Sequence, residues 1–318
     1  MIPQKLNIAN IPTPIQKIKY NGCSFLIKRD DLTGVELSGN KIRKLEYLLY
    51  EAKKKKADYI FTSGGDQSNH CRASVIAAAS VGIKSKIFLW GKDKALPDGN
   101  LFLNKVFGAE IDYLSKEEFF NIGKVIEKEK NKFEKKNLTV YDFPPGGSSE
   151  LGIWGYINFI DEIKKQADLK NIKGLFSASG SGGTAAGLLV GSALHSLNTK
   201  IFAVNVLLSK NELQNYIEQL VEKCISKFRL KVKVDFSRLE ILDGYSEEGY
   251  KKIKPEKIEV IKNFAKQTGI LFDPAYTGKA FFAFNDLFLK NKKNSKIMFI
   301  HTGGLFGAFA KRKSYLRS

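Results

Sequence analysis

From Tyr59 onward, short apolar runs alternate with longer amphipathic stretches, and this beat constrains the fold more than any other feature of the chain. Tyr59-Ile60-Phe61 precedes a helical stretch to Val81, Ile87-Phe88-Leu89 precedes one starting near Gly99, and Ile111-Asp112-Tyr113-Leu114 precedes a charged helix through Lys116 to Lys136. Val140-Tyr141 then leads into Pro144-Pro145-Gly146-Gly147. After Leu151 a new cycle begins: Gly174-Leu175-Phe176-Ser177 feeds the small-residue segment Ser179 to Gly187, followed by Ile201-Phe202-Ala203-Val204. A last strand, Ile297-Met298-Phe299-Ile300, ends in His301-Thr302-Gly303-Gly304. Repeated βα units predict mostly parallel sheets covered by helices. The 318 residues suit two such α/β lobes, with a hinge near Pro144 to Ser149. The chain has no repeat of fixed period and no low-complexity region.

Several function classes are disfavoured by composition. A 43% hydrophobic content fills a sizeable core, and no apolar run is long enough to cross a bilayer. The start, Met1-Ile2-Pro3-Gln4-Lys5, lacks the charged-then-apolar order of a signal peptide, so a cytoplasmic protein is expected, with no membrane partner. Cys23, Cys71 and Cys224 are widely separated and odd in number, which argues against a disulfide framework or a zinc site, and no metal site is expected. The net charge of +19 invites phosphates. Yet the lysines are dispersed over Lys53-Lys54-Lys55-Lys56, the Lys128 to Lys136 segment with its intervening glutamates, and Lys292-Lys293, without a stacking platform. They read as solvated helix faces, so a nucleic-acid partner is not expected, whereas anionic small molecules remain compatible.

In open parallel sheets, ligands lie beyond the carboxyl ends of the strands, where the unusual loops of this chain all fall. Ser38-Gly39-Asn40-Lys41 opens an amphipathic helix with Leu45, Leu48, Leu49 and Ala52 on one face, which puts Lys41 in the first turn. There the helix dipole and partial burial both disfavour the ammonium, and an amine so tuned forms a Schiff base with an aldehyde. Taken alone, the same residues also describe an ordinary lysine pointing to water. Ser177 to Gly187 follows a strand and opens a helix, so its backbone N–H groups and the hydroxyls of Ser181 and Thr184 make a phosphate cradle. It lacks the P-loop ending and the dinucleotide fingerprint, and is equally compatible with tight helix packing. Thr62 to His70 is a polar strand-to-helix loop in which Ser68 or Asn69 caps the next helix in the simplest reading. Asp273 to Lys279 sets Tyr276 beside a helix start, where a tyrosine is commonly a packed anchor. Together these loops offer an aldehyde-reactive lysine, a phosphate cradle and hydroxyl and amide donors, a combination that asks for pyridoxal 5'-phosphate.

Six ordered segments then carry a resemblance: Lys28-Arg29-Asp30-Asp31-Leu32-Thr33, Ser38 to Glu46, Gln67-Ser68-Asn69-His70, Ser179-Gly180-Ser181-Gly182-Gly183-Thr184, Asp273 to Lys279, and His301-Thr302-Gly303-Gly304. They closely resemble the 1-aminocyclopropane-1-carboxylate deaminase and D-cysteine desulfhydrase family across nearly the whole chain. Those are pyridoxal-phosphate enzymes of fold type II, the tryptophan-synthase β type. The resemblance implies two α/β domains with the active site between them: a large cofactor-binding domain of residues 1–42 plus 151–318, and a small one of residues 43–150. It also implies a homodimer. Lys41 would hold the cofactor and later move the Cα proton, Asn69 would contact the cofactor's 3-hydroxyl, and Ser68 would meet the substrate carboxylate or the reacting carbon. Gly180, Ser181, Gly182, Gly183 and Thr184 would hold the phosphate, while Tyr276 and Tyr250 would line the substrate side. Tyr250 is preferred to Tyr245 for its distance from Asp273, although Ser246-Glu247-Glu248 before it is unlike the usual pattern.

Two positions bear on the reaction. Deaminases of the family resemble one another in having Glu directly after the tyrosine, and this chain has Thr277. Desulfhydrase-like members offer a threonine hydroxyl to the ring nitrogen, which Thr302 matches. A hydroxyl stabilises a pyridinium less than a carboxylate does, leaving a weaker electron sink that still suffices for a thiolate leaving group, whose conjugate acid has a pKa of about 8.5. The resemblance thus points to a lyase performing α,β-elimination on a small amino acid, D-cysteine foremost. The rivals are 1-aminocyclopropane-1-carboxylate deamination and a pyridoxal-phosphate-binding protein without turnover. Ser38, Ile42 and Ala73 depart from common family residues without removing a catalytic group.

Overall fold

The computed structural model describes residues 2–250, 252–290 and 296–316; Lys292 and Lys293 lie outside the described residues. Among the described residues, ten strands form two sheets. In chain order the strands are β1 (Ile15–Tyr20), β2 (Cys23–Lys28), β3 (Tyr59–Gly65), β4 (Lys84–Trp90), β5 (Glu110–Leu114), β6 (Val140–Asp142), β7 (Gly174–Ser179), β8 (Lys200–Asn205), β9 (Leu239–Leu242) and β10 (Ile297–Ile300). The helices are α1 (Lys41–Lys54), α2 (Asn69–Ser80), α3 (Gly99–Val106), α4 (Lys116–Phe120), α5 (Ile122–Glu134), α6 (Trp154–Gln166), α7 (Gly183–Leu194), α8 (Lys210–Phe228), α9 (Pro255–Thr268), α10 (Thr277–Phe284), α11 (Leu305–Ala310) and α12 (Arg312–Leu316). The larger sheet has the order β1-β2-β10-β7-β8-β9 and the smaller β5-β4-β3-β6. Among the described residues only the β1–β2 pair is antiparallel, and the other pairings in both sheets are parallel.

Because side chains alternate across a strand, neighbouring residues of the central strands feed opposite cores. Leu175, Ile201, Ala203, Met298 and Ile300 pack with α6, α7 and α8 on one face of the large sheet. Phe176, Phe202, Val204 and Phe299 join the aromatic core under α9 and α10 on the other. In the small sheet Ile60 packs with Leu45, Leu48, Leu49 and Ala52 of α1, as the spacing in that helix predicts. Phe61 and Phe88 meet Phe133 of α5 on the opposite face.

The structure departs from the sequence reading in two places. The charged stretch from Lys116 is two helices, because Asn121 adopts φ −101°, ψ 29° and its side chain donates to the Glu117 carbonyl. The large sheet also gains a hairpin, β1–β2, and an edge strand, β9, that the βα beat does not announce. No helix among the described residues is long and apolar enough to cross a membrane.

Candidate active site

The carboxyl ends of β3, β7 and β10 open onto one cavity of about 610 Å³, a volume that takes a cofactor with a small ligand. The candidate catalytic and cofactor-binding residues of the sequence line it: Lys41, Ser68, Asn69, Gly180 to Thr184, Tyr250, Tyr276 and Thr302.

Lys41 reaches this cavity through a tight approach of two loops. Gly39 has φ 107°, and a Cβ there would lie 2.7 Å from the Thr302 carbonyl oxygen, so only glycine fits. The Asn40 N–H donates to that same carbonyl at 3.1 Å. The Asn40 side chain then bridges the site, accepting from Lys41 Nζ at 2.8 Å and donating through Nδ2 to Thr184 Oγ1 at 3.0 Å. The Lys41 ammonium lies 5.8 Å from the centre of the Tyr276 ring. Burial lowers its pKa to about 8; the Asp273 carboxylate opposes the shift and the Arg72 guanidinium adds to it.

The cradle is built at the start of α7. Gly182 is left-handed, and a Cβ on Gly183 would fall 2.7 Å from Lys44 Nζ. Ser181 Oγ and Ser148 Oγ share a hydrogen bond of 2.8 Å. Lys44 is 1% exposed and donates to the Gly146 carbonyl and Ser148 Oγ, both at 3.2 Å, with no carboxylate in ion-pair range among the described residues. Burial, and then Lys41, push its pKa well below the ordinary lysine value. A bound anion would restore the proton to such an amine, and the helical N–H groups and bare glycine Cα beside it favour the same ligand.

On the opposite wall, Ser68 caps α2 by accepting from the Cys71 N–H at 3.2 Å, so the simple capping role holds while the residue also lines the cavity. Tyr276 Oη donates to Tyr250 Oη at 3.0 Å, their rings meet edge-on, and Tyr276 packs over Gly180. Burial raises Tyr276 to about 12 and lifts Tyr250 well above the ordinary tyrosine value, so both carry neutral hydroxyls near pH 7. Tyr245 lies away from this wall, against Phe282. Thr302 lines the cavity, whereas Thr277 is turned from it, donating to Asp273 Oδ1 at 2.5 Å.

Sequence reasoning missed Lys44, His70 and the apolar rim of Trp90, Phe119, Phe120, Ile122 and Leu207. Lys44 lies three residues beyond Lys41, on the same helix face, which is a usable signal. His70 is buried, with Nε2 2.9 Å from Thr62 Oγ1; burial, then Lys41 and Lys44, lower its pKa well below the usual value, keeping it neutral. The rim comes from the end of β4, from α4, from the start of α5 and from the loop after β8, and nothing local marks it. Among the described residues, no Asp or Glu lines the cavity, while Lys41, Lys44 and Lys116 do.

The profile of a family described as "Pyridoxal-phosphate dependent enzyme" matches residues 6–303. A Thermotoga maritima protein named "Putative 1-aminocyclopropane-1-carboxylate deaminase" is 40% identical over 314 residues, covering 97% of this chain and 99% of its own. A mitochondrial protein of Arabidopsis thaliana, "Bifunctional D-cysteine desulfhydrase/1-aminocyclopropane-1-carboxylate deaminase", is 38% identical, covering 96% of this chain and 79% of its own. The solved structure of an "ACC deaminase homologue" superposes with a TM-score of 0.90 at 34% identity, covering 99% of this chain and 96% of the other. The cavity fits the cofactor these matches imply, since an amine of lowered pKa and a second buried amine, without a carboxylate partner among the described residues, at a glycine cradle are what an aldehyde and its phosphate require. With family, fold and cavity in agreement, the chain belongs to the pyridoxal-phosphate-dependent lyases of the 1-aminocyclopropane-1-carboxylate deaminase and D-cysteine desulfhydrase family.

Proposed function

We propose that the chain eliminates hydrosulfide from D-cysteine, giving pyruvate, ammonia and hydrogen sulfide. The observation that carries this choice is the absence of any carboxylate among the described residues lining the cavity, with Thr277 committed to Asp273 and Thr302 left facing the site. A threonine hydroxyl at the ring nitrogen suits a reaction whose leaving group is a good one. Pyridoxal phosphate, bound through its aldehyde to Lys41, supplies the electron sink that acidifies Cα. Lys44, Ser181, Thr184 and the first N–H groups of α7 hold the phosphate, and Asn69 donates to the 3-oxygen. Once the substrate's amino group has displaced it from the aldehyde carbon, the freed Lys41 amine takes the proton at Cα, a task suited to a pKa drawn down toward 8 by burial. Ser68 orients the substrate carboxylate. Tyr250 and Tyr276 flank the departing sulfur with neutral hydroxyls. The apolar rim at Phe119, Phe120 and Trp90 excludes water until aminoacrylate is released and hydrolyses. We assign the large domain to residues 1–42 with 151–318 and the small one to 43–150, since Lys41 stands where the chain passes from one sheet to the other.

Assay of the cofactor-loaded protein with D-cysteine, L-cysteine, L-cysteate, D-serine and 1-aminocyclopropane-1-carboxylate tests the choice. Stoichiometric sulfide and pyruvate from D-cysteine are expected. Turnover of the cyclopropane amino acid alone would replace this substrate, in keeping with the names of two of the relatives.

A further inference from the structure

Arg72 is fully buried, yet among the described residues no carboxylate pairs with it. Its guanidinium is satisfied by oxygen acceptors: Nη1 donates to the Glu36 carbonyl, Nη2 to the Ser38 carbonyl at 2.8 Å and Nε to Asn100 Oδ1 at 2.9 Å. Phe306 covers its flat face, with the ring centre 5.1 Å from Cζ. Arginine has donors only, so the atom of Asn100 facing it must be the oxygen, and the orientation of that carboxamide is fixed without ambiguity. Asn100, itself fully buried, then has two N–H groups to give. One goes to the Gln67 carbonyl and the other to Asn69 Oδ1, both at 2.9 Å. The second bond commits the oxygen of Asn69, and its amide nitrogen is what remains to face the cavity that Asn69 lines.

We propose that Arg72 and Asn100 are positioning residues: a donor relay running from a buried cation sets Asn69 with its N–H toward the cofactor and polarises that N–H for an electron-rich ring oxygen. The inference rests on the proposed contact of Asn69 with the 3-oxygen. Each bond of the chain points the same way, so each strengthens the next. The two backbone carbonyls held by Arg72 belong to the loop that leads into Lys41, so one guanidinium registers both the lysine and the amide on the same ligand. The separation of 28 positions from Arg72 to Asn100 hides the relay from local sequence reading.

The pH titration of the visible absorbance of the lysine-bound cofactor tests it. A donor on the ring oxygen favours the unprotonated form of the linkage, so its loss raises the apparent pKa of the band. Asn100→Asp keeps an acceptor for Arg72 but cannot donate to Asn69; an upward shift of about one unit is expected, similar to that of Asn69→Ala. In the Asn69→Ala background, Asn100→Asp should add nothing, whereas a through-space charge effect would persist there. Lys41, Lys44, His70, Lys116, Tyr250 and Tyr276 face the cavity in all four proteins and cancel in the comparison. A shift in Asn69→Ala but none in Asn100→Asp overturns the relay and leaves the Asn69 contact standing. No shift in Asn69→Ala overturns the contact itself. If Asn100→Asp fails to fold, Asn100→Ala carries the same cycle.

Discussion

In the proposed role, Lys41 owes its reactivity to burial rather than to its identity. Desolvation brings the amine to about 8, so the neutral fraction of the apoprotein rises as pH rises through 8. Between pH 7 and 9 the rate of cofactor capture should increase roughly tenfold and then level off, as followed by the growth of visible absorbance. A solvated lysine, with a pKa of about 10.4, would show no plateau in that range. This residue is legible in the sequence, since Ser38-Gly39-Asn40-Lys41 and the glycine loop at 180–184 are short segments whose chemistry is local. Lys44 is less so: its lysine is plain to read, but its lack of a carboxylate and its place beside Gly183 depend on packing against the loop at 146–148.

At the scale of elements, α1 is held against the large sheet by buried charge. Arg43 donates to Asp30 through Nε and Nη2, both at 2.8 Å, and to Glu162 Oε2 at 2.8 Å, while Tyr156 and Thr13 also donate to Asp30. Asp30→Asn removes the charge and an acceptor from four donors, and should cost about 3 kcal/mol or more in urea unfolding, because it leaves a buried cation undercompensated. A loss below about 1 kcal/mol would show that Glu162 alone suffices. The parallel strands are readable because burial on both faces makes them continuous apolar runs. The hairpin β1–β2 carries a signal as well, a short alternation from Lys17 to Tyr20 closed by Asn21-Gly22 with both residues at positive φ, but it precedes the βα beat and does not share its rhythm. Asn121 breaks the charged helix at a residue that sequence alone does not distinguish from a mid-helix asparagine. Glu248, in the stretch that departs from the family pattern, is clasped by Lys257 Nζ at 2.8 Å, and Lys279 Nζ donates to the Gly249 carbonyl. The loop bearing Tyr250 is thus anchored by Lys257 and Lys279.

For the whole molecule, two sheets present their carboxyl ends to one cavity, and the parallel order of the strands makes that arrangement necessary. A net charge of +19 opposes self-association, yet Phe102 and Val106 on α3 and Leu305 and Phe309 on neighbouring α11 leave their side chains in solvent. An apolar face of this kind suits a second copy of the chain, and sedimentation at micromolar concentration should give a homodimer that Phe102→Lys with Phe309→Lys converts to monomer. A dimer indifferent to those changes would place the interface elsewhere. The most direct measurement is borohydride reduction of the cofactor-loaded protein followed by peptide mapping. The reduced pyridoxyl group is expected on Lys41 and nowhere else, and its appearance on Lys44 or on a surface lysine would contradict the assignment of the reactive amine.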